Sequence, residues 1–220
     1  MQSYIDQFKL NKVLPPQVVA HMTLSTFKKG QYIFTQGDFP EYMHFLVEGR
    51  LKIFAASDEG RKLIIAFTQP FGVFGDIEFV QQQPYLNTGE AVTDGKLLKI
   101  PMKIMEEYGR THFPFIQFLL DHITRKFYEN AHAQSFNMLH SVDVRFASYL
   151  LSSTTEFENY VSLQHIRDVA DSIGTSYRHL NRIIAQLGEE GLIERSQRTI
   201  RILNRPQLYK LAKQNIYEER

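Results

Sequence analysis

The chain has 220 residues, 43% hydrophobic and 22% charged, with a formal net charge of +1; this composition fits a folded protein, and the length exceeds one small domain. No stretch approaches the roughly 20 apolar residues needed to span a bilayer, and Met1 to Lys12 carries Asp6, Lys9 and Lys12 instead of a signal-peptide core, so a cytoplasmic location is expected. Cysteine is absent, which excludes disulfides, thiol redox sensing, cysteine-ligated iron–sulfur clusters and thiolate zinc sites, because each needs the sulfur.

Short helices are predicted at Ser3–Lys9 and Pro16–His21, where Pro16 suits a first helical turn. Eight of the twelve glycines fall in the first 95 residues, between short β-branched and aromatic runs. That is the punctuation of an antiparallel β fold. The runs predict strands at Gln31–Thr35, His44–Glu48, Arg50–Ala56, Lys62–Thr68, Gly89–Val92 and Lys96–Pro101, joined by turns such as Gln36-Gly37-Asp38 and Asp58-Glu59-Gly60. Strands so short and evenly spaced imply a small barrel, roll or sandwich.

From about Thr111 the glycines stop, and Ile116, Leu120, Ile123 and Phe127 recur at helical spacing. They predict one long helix over Phe113–Leu139. Asn130 and Gln134 interrupt the stripe in its second half, while Leu119, Ala131 and Met138 offer another apolar edge. Such a helix either packs on its own domain or pairs two chains as a coiled coil; it links two domains and its stripe has no other obvious partner, which favours a homodimer. Ser141-Val-Asp-Val marks a break and restart, followed by an amphipathic helix using Val144, Phe146, Ala147, Leu150 and Leu151, then a polar loop, Ser152–Asn159.

The next segment reads as a helix-turn-helix. Ser162 is placed to cap a helix over Leu163–Ser172 that buries Ile166, Val169, Ala170 and Ile173. Gly174 supplies the turn, and Thr175 or Ser176 caps a second helix that buries Leu180, Ile183, Ile184 and Leu187. Its outward stripe carries Tyr177, Arg178, Asn181 and Arg182, with His179 beside it. Arginine can donate to guanine N7 and O6, asparagine can pair with adenine, and a helix fits the major groove, so these five are the candidate base readers. Gly191 ends the helix. Leu192–Arg195 and Thr199–Leu203 then form a hairpin with Ile200 and Ile202 inward and Arg195, Arg198 and Arg201 outward, a wing suited to phosphates along with Ser176. A helix over Pro206–Lys213 closes the domain. Two acid-free windows, Ser172–Gly188 with two arginines and Arg195–Arg205 with four, outline the electrostatic footprint.

This order of β-roll, long helix and winged helix-turn-helix resembles the cyclic-AMP receptor/fumarate-nitrate regulator (CRP/FNR) family of bacterial transcription factors over essentially the whole chain. The likeness is carried by Gly37-Asp38 through Glu48-Gly49, Asp58-Glu59-Gly60 and Phe74-Gly75-Asp76-Ile77-Glu78. The string Ser176-Tyr-Arg-His-Leu, with Ala185-Gln-Leu beyond it, is most similar to the YeiL-like branch. The resemblance implies an α+β chain in three parts: a cyclic-nucleotide-binding-like roll at 1–111, a dimerisation helix at 112–140 and a winged helix-turn-helix at 141–220. It further implies a DNA-binding regulator, not an enzyme, working as a homodimer joined through Ile116, Leu120, Ile123 and Phe127. Its operator would be two-fold symmetric with half-sites about 34 Å apart or a multiple of that, and RNA polymerase is a further partner for an activator.

The resemblance places a candidate effector pocket at Gly75, Asp76, Glu78, Asn87 and Thr88. In nucleotide-binding members a Gly-Glu pair meets the ribose and an Arg-Ser pair holds the cyclic phosphate; here Gly75-Asp76 stands for the first and Asn87-Thr88 for the second. Without the guanidinium a buried phosphate lacks its counter-charge, so cyclic AMP is not the expected effector. Haem would need an axial ligand such as His44, and a lone strand histidine reads as packing. A cupin-like metalloenzyme needs several ligands on neighbouring strands, where His44 stands alone. A nucleophile triad and a phosphate-cradling loop are likewise missing; Gly72-Val-Phe-Gly75 offers no Lys or Ser. A winged helix that binds protein instead of DNA is the remaining alternative, and the arginine-bearing, acid-free face argues against it.

Overall fold

The computed structural model describes residues 1–59, 62–154, 159–163 and 166–212. Gly60 of the predicted turn, the centre of the Ser152–Asn159 loop, Gln164 and His165 of the predicted first motif helix, Lys213 at the chain's last predicted helix, and the side chains of Gln134 and Met138 lie outside the described residues. The described chain forms two compact units, Met1–Ile53 with Thr68–Asn130, and Phe54–Phe67 with Ala131–Arg220. No described helix is long and apolar enough to cross a membrane.

Three short helices lead, α1 (Gln2–Gln7), α2 (Leu10–Val13) and α3 (Pro16–Ala20). Then come β1 (Thr23–Phe27), β2 (Tyr32–Phe34), β3 (Tyr42–Glu48), β4 (Leu51–Ala56), β5 (Lys62–Thr68) and β6 (Gly72–Phe74). Helix α4 (Asp76–Gln81), strands β7 (Thr88–Ala91) and β8 (Gly95–Pro101), α5 (Met102–Ile104) and a π-helical turn at Met105–Gly109 lead into α6 (Phe113–Leu139). The strands make two four-stranded sheets, ordered β1-β8-β3-β6 and β2-β7-β4-β5. Two strands of the first unit escaped the sequence reading. β1 buries only Phe27, so its alternation is weak, and β6 has three residues hemmed between glycines, which reads as a loop.

Side chains alternate across the β3–β8 ladder, as period two requires. Met43, Phe45 and Val47 with Leu98 and Ile100 enter one core together with Ile5, Leu10 and Val18 of the leading helices and Phe115 and Leu119 of α6. The opposite face carries His44, which lies beside Lys99 on one neighbouring strand and Phe74 on the other.

Helix α6 has the predicted limits, with Pro114 in its first turn where no backbone donor is needed. Its rotation differs from the simplest reading. The buried face is Phe115, Leu119 and His122, with Lys126 following at the same spacing, whereas Ile116, Leu120 and Phe127 are exposed. Ile123, predicted on the exposed seam, is half-buried against the first unit's core.

The second unit continues with α7 (Val142–Ser152), β9 (Tyr160–Ser162), α8 (Ile166–Ser172), α9 (Tyr177–Glu189), β10 (Ile193–Arg195), β11 (Thr199–Ile202) and α10 (Arg205–Ala212). Its core gathers Phe146 and Leu150 of α7, Val169 and Ala170 of α8, Leu180, Ile184 and Leu187 of α9, and Ile193 and Ile200 of the sheet. Ser162, predicted as the cap of the first motif helix, is the last residue of β9, whose Val161 is buried and pairs with Ile200, so the wing is a three-stranded sheet ordered β10-β11-β9.

Candidate nucleic-acid interface and roll interior

The turn between α8 and α9 is held from both sides. Gly174 has φ of 66°, which a side chain would strain, and the Thr175 amide donates to Ala170 O at 2.9 Å. Arg145 of α7 donates from Nη1 to Ile173 O at 2.6 Å. Ser176 caps α9, its Oγ accepting from the His179 amide at 3.2 Å. The hydroxyl hydrogen stays available for an anion at the positive end of the helix dipole.

The outward stripe of α9 lies where the periodicity predicts. Tyr177, Arg178 and Arg182 are exposed, and His179 and Asn181 are half-buried. Asn181 is already committed: its Nδ2 donates to Tyr177 O at 2.9 Å and its Oδ1 accepts from Arg195 Nη1 at 2.6 Å. It joins the second helix to the wing, a role that residue type and spacing do not reveal. Arg201 faces Glu194 across the hairpin at 4.0 Å and lies over the Tyr160 ring at 5.7 Å. Among the described residues the guanidinium groups of Arg178, Arg182 and Arg198 make no ion pair or hydrogen bond.

Two arginines alter the predicted footprint. Arg205 is turned inward at the end of α7, donating from Nη1 to Thr154 Oγ1 at 3.0 Å and from Nη2 to Leu151 O at 3.5 Å. It is a clamp on α7, and the basic window ends at Arg201. Arg167 of α8 is exposed and lies 5.7 Å from the Tyr177 ring centroid. The sequence reading missed it because Asp168 follows it and the acid-free window starts later.

In the first unit, Gly75 and Asp76 begin α4, and Asp76 is 2% exposed. Lys126 of α6 reaches it, donating to Oδ2 at 3.0 Å, Oδ1 at 3.2 Å and Val73 O, with the Phe74 ring centroid 5.5 Å away. A lysine on the buried stripe of α6 was the available signal. Burial, with the nearby Asp76 charge, pushes the Glu78 carboxyl above its usual range. Asn87 is half-buried, and Thr88 is buried with its Oγ1 accepting from the Gln36 amide at 3.0 Å. Phe34 packs on the bare backbone of Gly89; a Cβ there would stand 2.5 Å from two ring carbons. Phe34 also meets Phe74 at 5.1 Å and Tyr85 at 4.7 Å between ring centroids. Aromatic rings thus fill the space beside Asn87-Thr88, and Asp76 already has its cation. No group of three or more metal-ligating side chains occurs among the described residues.

Two domain models match the chain, a cyclic nucleotide-binding domain over residues 24–112 and a Crp-like helix-turn-helix domain over residues 144–211. Regulatory protein YeiL of Escherichia coli O157:H7 is 28% identical over 89% of this chain and 88% of its own. The global nitrogen regulator of Synechocystis is 23% identical over 89% of both chains. Among solved structures, a CRP/FNR-family transcriptional regulator from Thermus thermophilus superposes with a TM-score of 0.70 at 23% identity, over 88% of this chain and all of that one. This likeness in shape shows the fold.

Two outcomes test the roll interior. Removing one member of a buried ion pair leaves a lone charge and costs about 3–5 kcal/mol, so Lys126→Met should destabilise the first unit by that order in urea melts. Lys126→Met with Asp76→Leu should recover most of the loss. The second outcome is a pH profile. His44 is pushed down to about 4 by burial and then by Lys99; His122 is also pushed down to about 4, by burial and then by Lys126. Asp76 pulls His122 up and Arg125 pushes it down, both by less. Between about pH 6.5 and 4 the unfolded chain binds protons that the folded chain refuses. Stability is therefore complete above about 6.5 and falls as pH drops through that window, and His44→Phe should flatten the fall in urea midpoints measured from pH 7 to 4.

Proposed function

We propose that this chain, which belongs to the CRP/FNR family of transcription regulators, reads a two-fold symmetric DNA operator as a homodimer. The observation that carries the reading is the exposed stripe of α9, where Arg178 and Arg182 stand beside Tyr177 without acidic partners among the described residues. Free guanidinium groups on a helix of major-groove width suit base edges. Arg198 in the wing, together with Ser176 at the helix start, suits phosphates, which hold register without reading sequence. Asn181 reads a base only by exchanging a bond it already makes.

The dimer would form through α6. Phe113, Leu120 and Phe127 expose 73%, 62% and 74% of their surfaces on one side of a helix whose other side is buried. A second copy of the same stripe would cover them. Division of labour would follow the predicted parts, with the roll at 1–111, the pairing helix at 112–140 and the DNA-binding domain at 141–220. Contact with RNA polymerase would follow for an activator.

Cyclic AMP is not the effector in this reading. The phosphate lacks an arginine at Asn87, Lys126 already satisfies the acid that would meet the ribose, and Phe34 covers Gly89. Calorimetry with cyclic AMP should give no saturable heat.

On an operator selected from genomic fragments, Arg182→Ala should cost about 1–3 kcal/mol and relax preference at one base pair, whereas Arg198→Ala should weaken specific and random duplexes alike and reduce the salt dependence. Equal losses of Arg182→Ala on both duplexes would refute the division of roles. Light scattering at micromolar concentration should give a dimer, and Leu120→Glu with Phe127→Glu should give a monomer that binds the operator far more weakly.

A further inference from the structure

Tyr177 is the first residue of α9, and the opening residues of the second helix in this motif are the ones that reach base edges. It differs in kind from its neighbours. Arg178 and Arg182 carry guanidinium groups and Asn181 an amide, whereas Tyr177 presents an aromatic ring that is 44% exposed and lies outside the apolar core of the second unit. Its hydroxyl makes no hydrogen bond among the described residues.

The contact that orients this ring comes from the other helix of the motif. Arg167 of α8 places its guanidinium carbon 5.7 Å from the ring centroid, inside the reach of about 6 Å over which a cation is attracted to an aromatic face. Arg167 is exposed, and among the described residues it makes no ion pair or hydrogen bond. A tyrosine at an open helix start has more than one staggered well about χ1, and a cation over one ring face favours the well that keeps the ring beneath it. The other face and the ring edge stay free. They carry no donor for a purine N7 or O6, and the one apolar group that a base pair offers in the major groove is the C5-methyl of thymine.

We infer that Arg167 is a positioning residue for Tyr177, and that the ring it holds reads the methyl group of one thymine in each half-site. The inference rests on α9 being the DNA-reading helix, and it adds a base class to that reading. Arginine donors suit guanine, and the ring suits thymine. The first helix of the motif thereby takes part in sequence choice without touching a base.

Deoxyuridine pairs as thymine does but lacks the methyl group, so replacing the thymines of the selected operator one at a time isolates this contact. In competition binding with the full chain, one replacement per half-site should weaken binding about fourfold, the worth of one buried methyl group. Tyr177→Ala should erase that penalty at that thymine alone. Tyr177→Phe should keep it, because the ring and not the hydroxyl makes the contact. Arg167→Met should remove most of the penalty while leaving the slope of affinity against salt unchanged, and Arg167→Lys, which returns a cation to the ring, should restore it. A penalty that survives Arg167→Met, or a salt slope that this variant lowers by about one as for a lost phosphate contact, would overturn the positioning role. The absence of any thymine whose penalty depends on Tyr177 would overturn the methyl contact. Failure of the underlying reading looks different, because the wild type would then prefer no genomic fragment over a random duplex, and neither statement would stand.

Discussion

Burying an anion is costly unless a cation and donors meet it, and Asp76 is met from a distant part of the chain. Lys126 must lie against β6 and the start of α4 to reach it, which fixes the rotation of α6 about its own axis. That rotation turns Phe115, Leu119 and His122 toward the core of the first unit and leaves Ile116, Leu120 and Phe127 outside. The apolar stripe that a second copy would cover is therefore set by an electrostatic requirement inside the roll. His122, stacked on Phe118 at 5.7 Å and bonded through Nδ1 to Arg125, continues the same polar seam on the inner face.

The second unit solves a different problem, which is to keep donors exposed while the helices that carry them stay anchored. Every large apolar residue of α9 is buried except Tyr177 at its start, so the helix is held by one side only. The anchoring polar groups come from neighbouring elements: Arg145 fixes the turn before α9, and Arg205 ties the end of α7 to α10. These arginines satisfy carbonyls at helix ends and turns, where backbone acceptors otherwise lack partners. Arg178, Arg182 and Arg198 have no such duty.

Most of the fold was legible because its elements have strong periods. Helix α6 was predicted to the residue, and all six strands predicted for the roll matched within about two residues at each end because alternation and turn residues agreed there. β6 and β9 were missed because three residues carry no period, and β1 because only Phe27 is buried. The outward stripe of α9 was legible from its spacing. The partners of those residues were not. Asn181 with Arg195, Arg167 with Tyr177 and Lys126 with Asp76 are pairings across elements, and the last spans 50 residues of sequence. The choice between two apolar faces of α6 one residue apart was likewise undecided until Lys126 had its partner.

The bond between Arg195 and Asn181 gives the free protein a property that a loose wing would lack. A guanidinium on a flexible hairpin must surrender its rotamer freedom when it meets a phosphate, whereas Arg195 is already bonded to Asn181 of α9. In the proposed complex, wing and helix would approach the duplex as one preformed jaw. The same bond would make them interdependent, because a base that drew the Asn181 amide away would also release Arg195. Sequence at that base pair would thereby govern how firmly the wing grips the backbone several ångströms away.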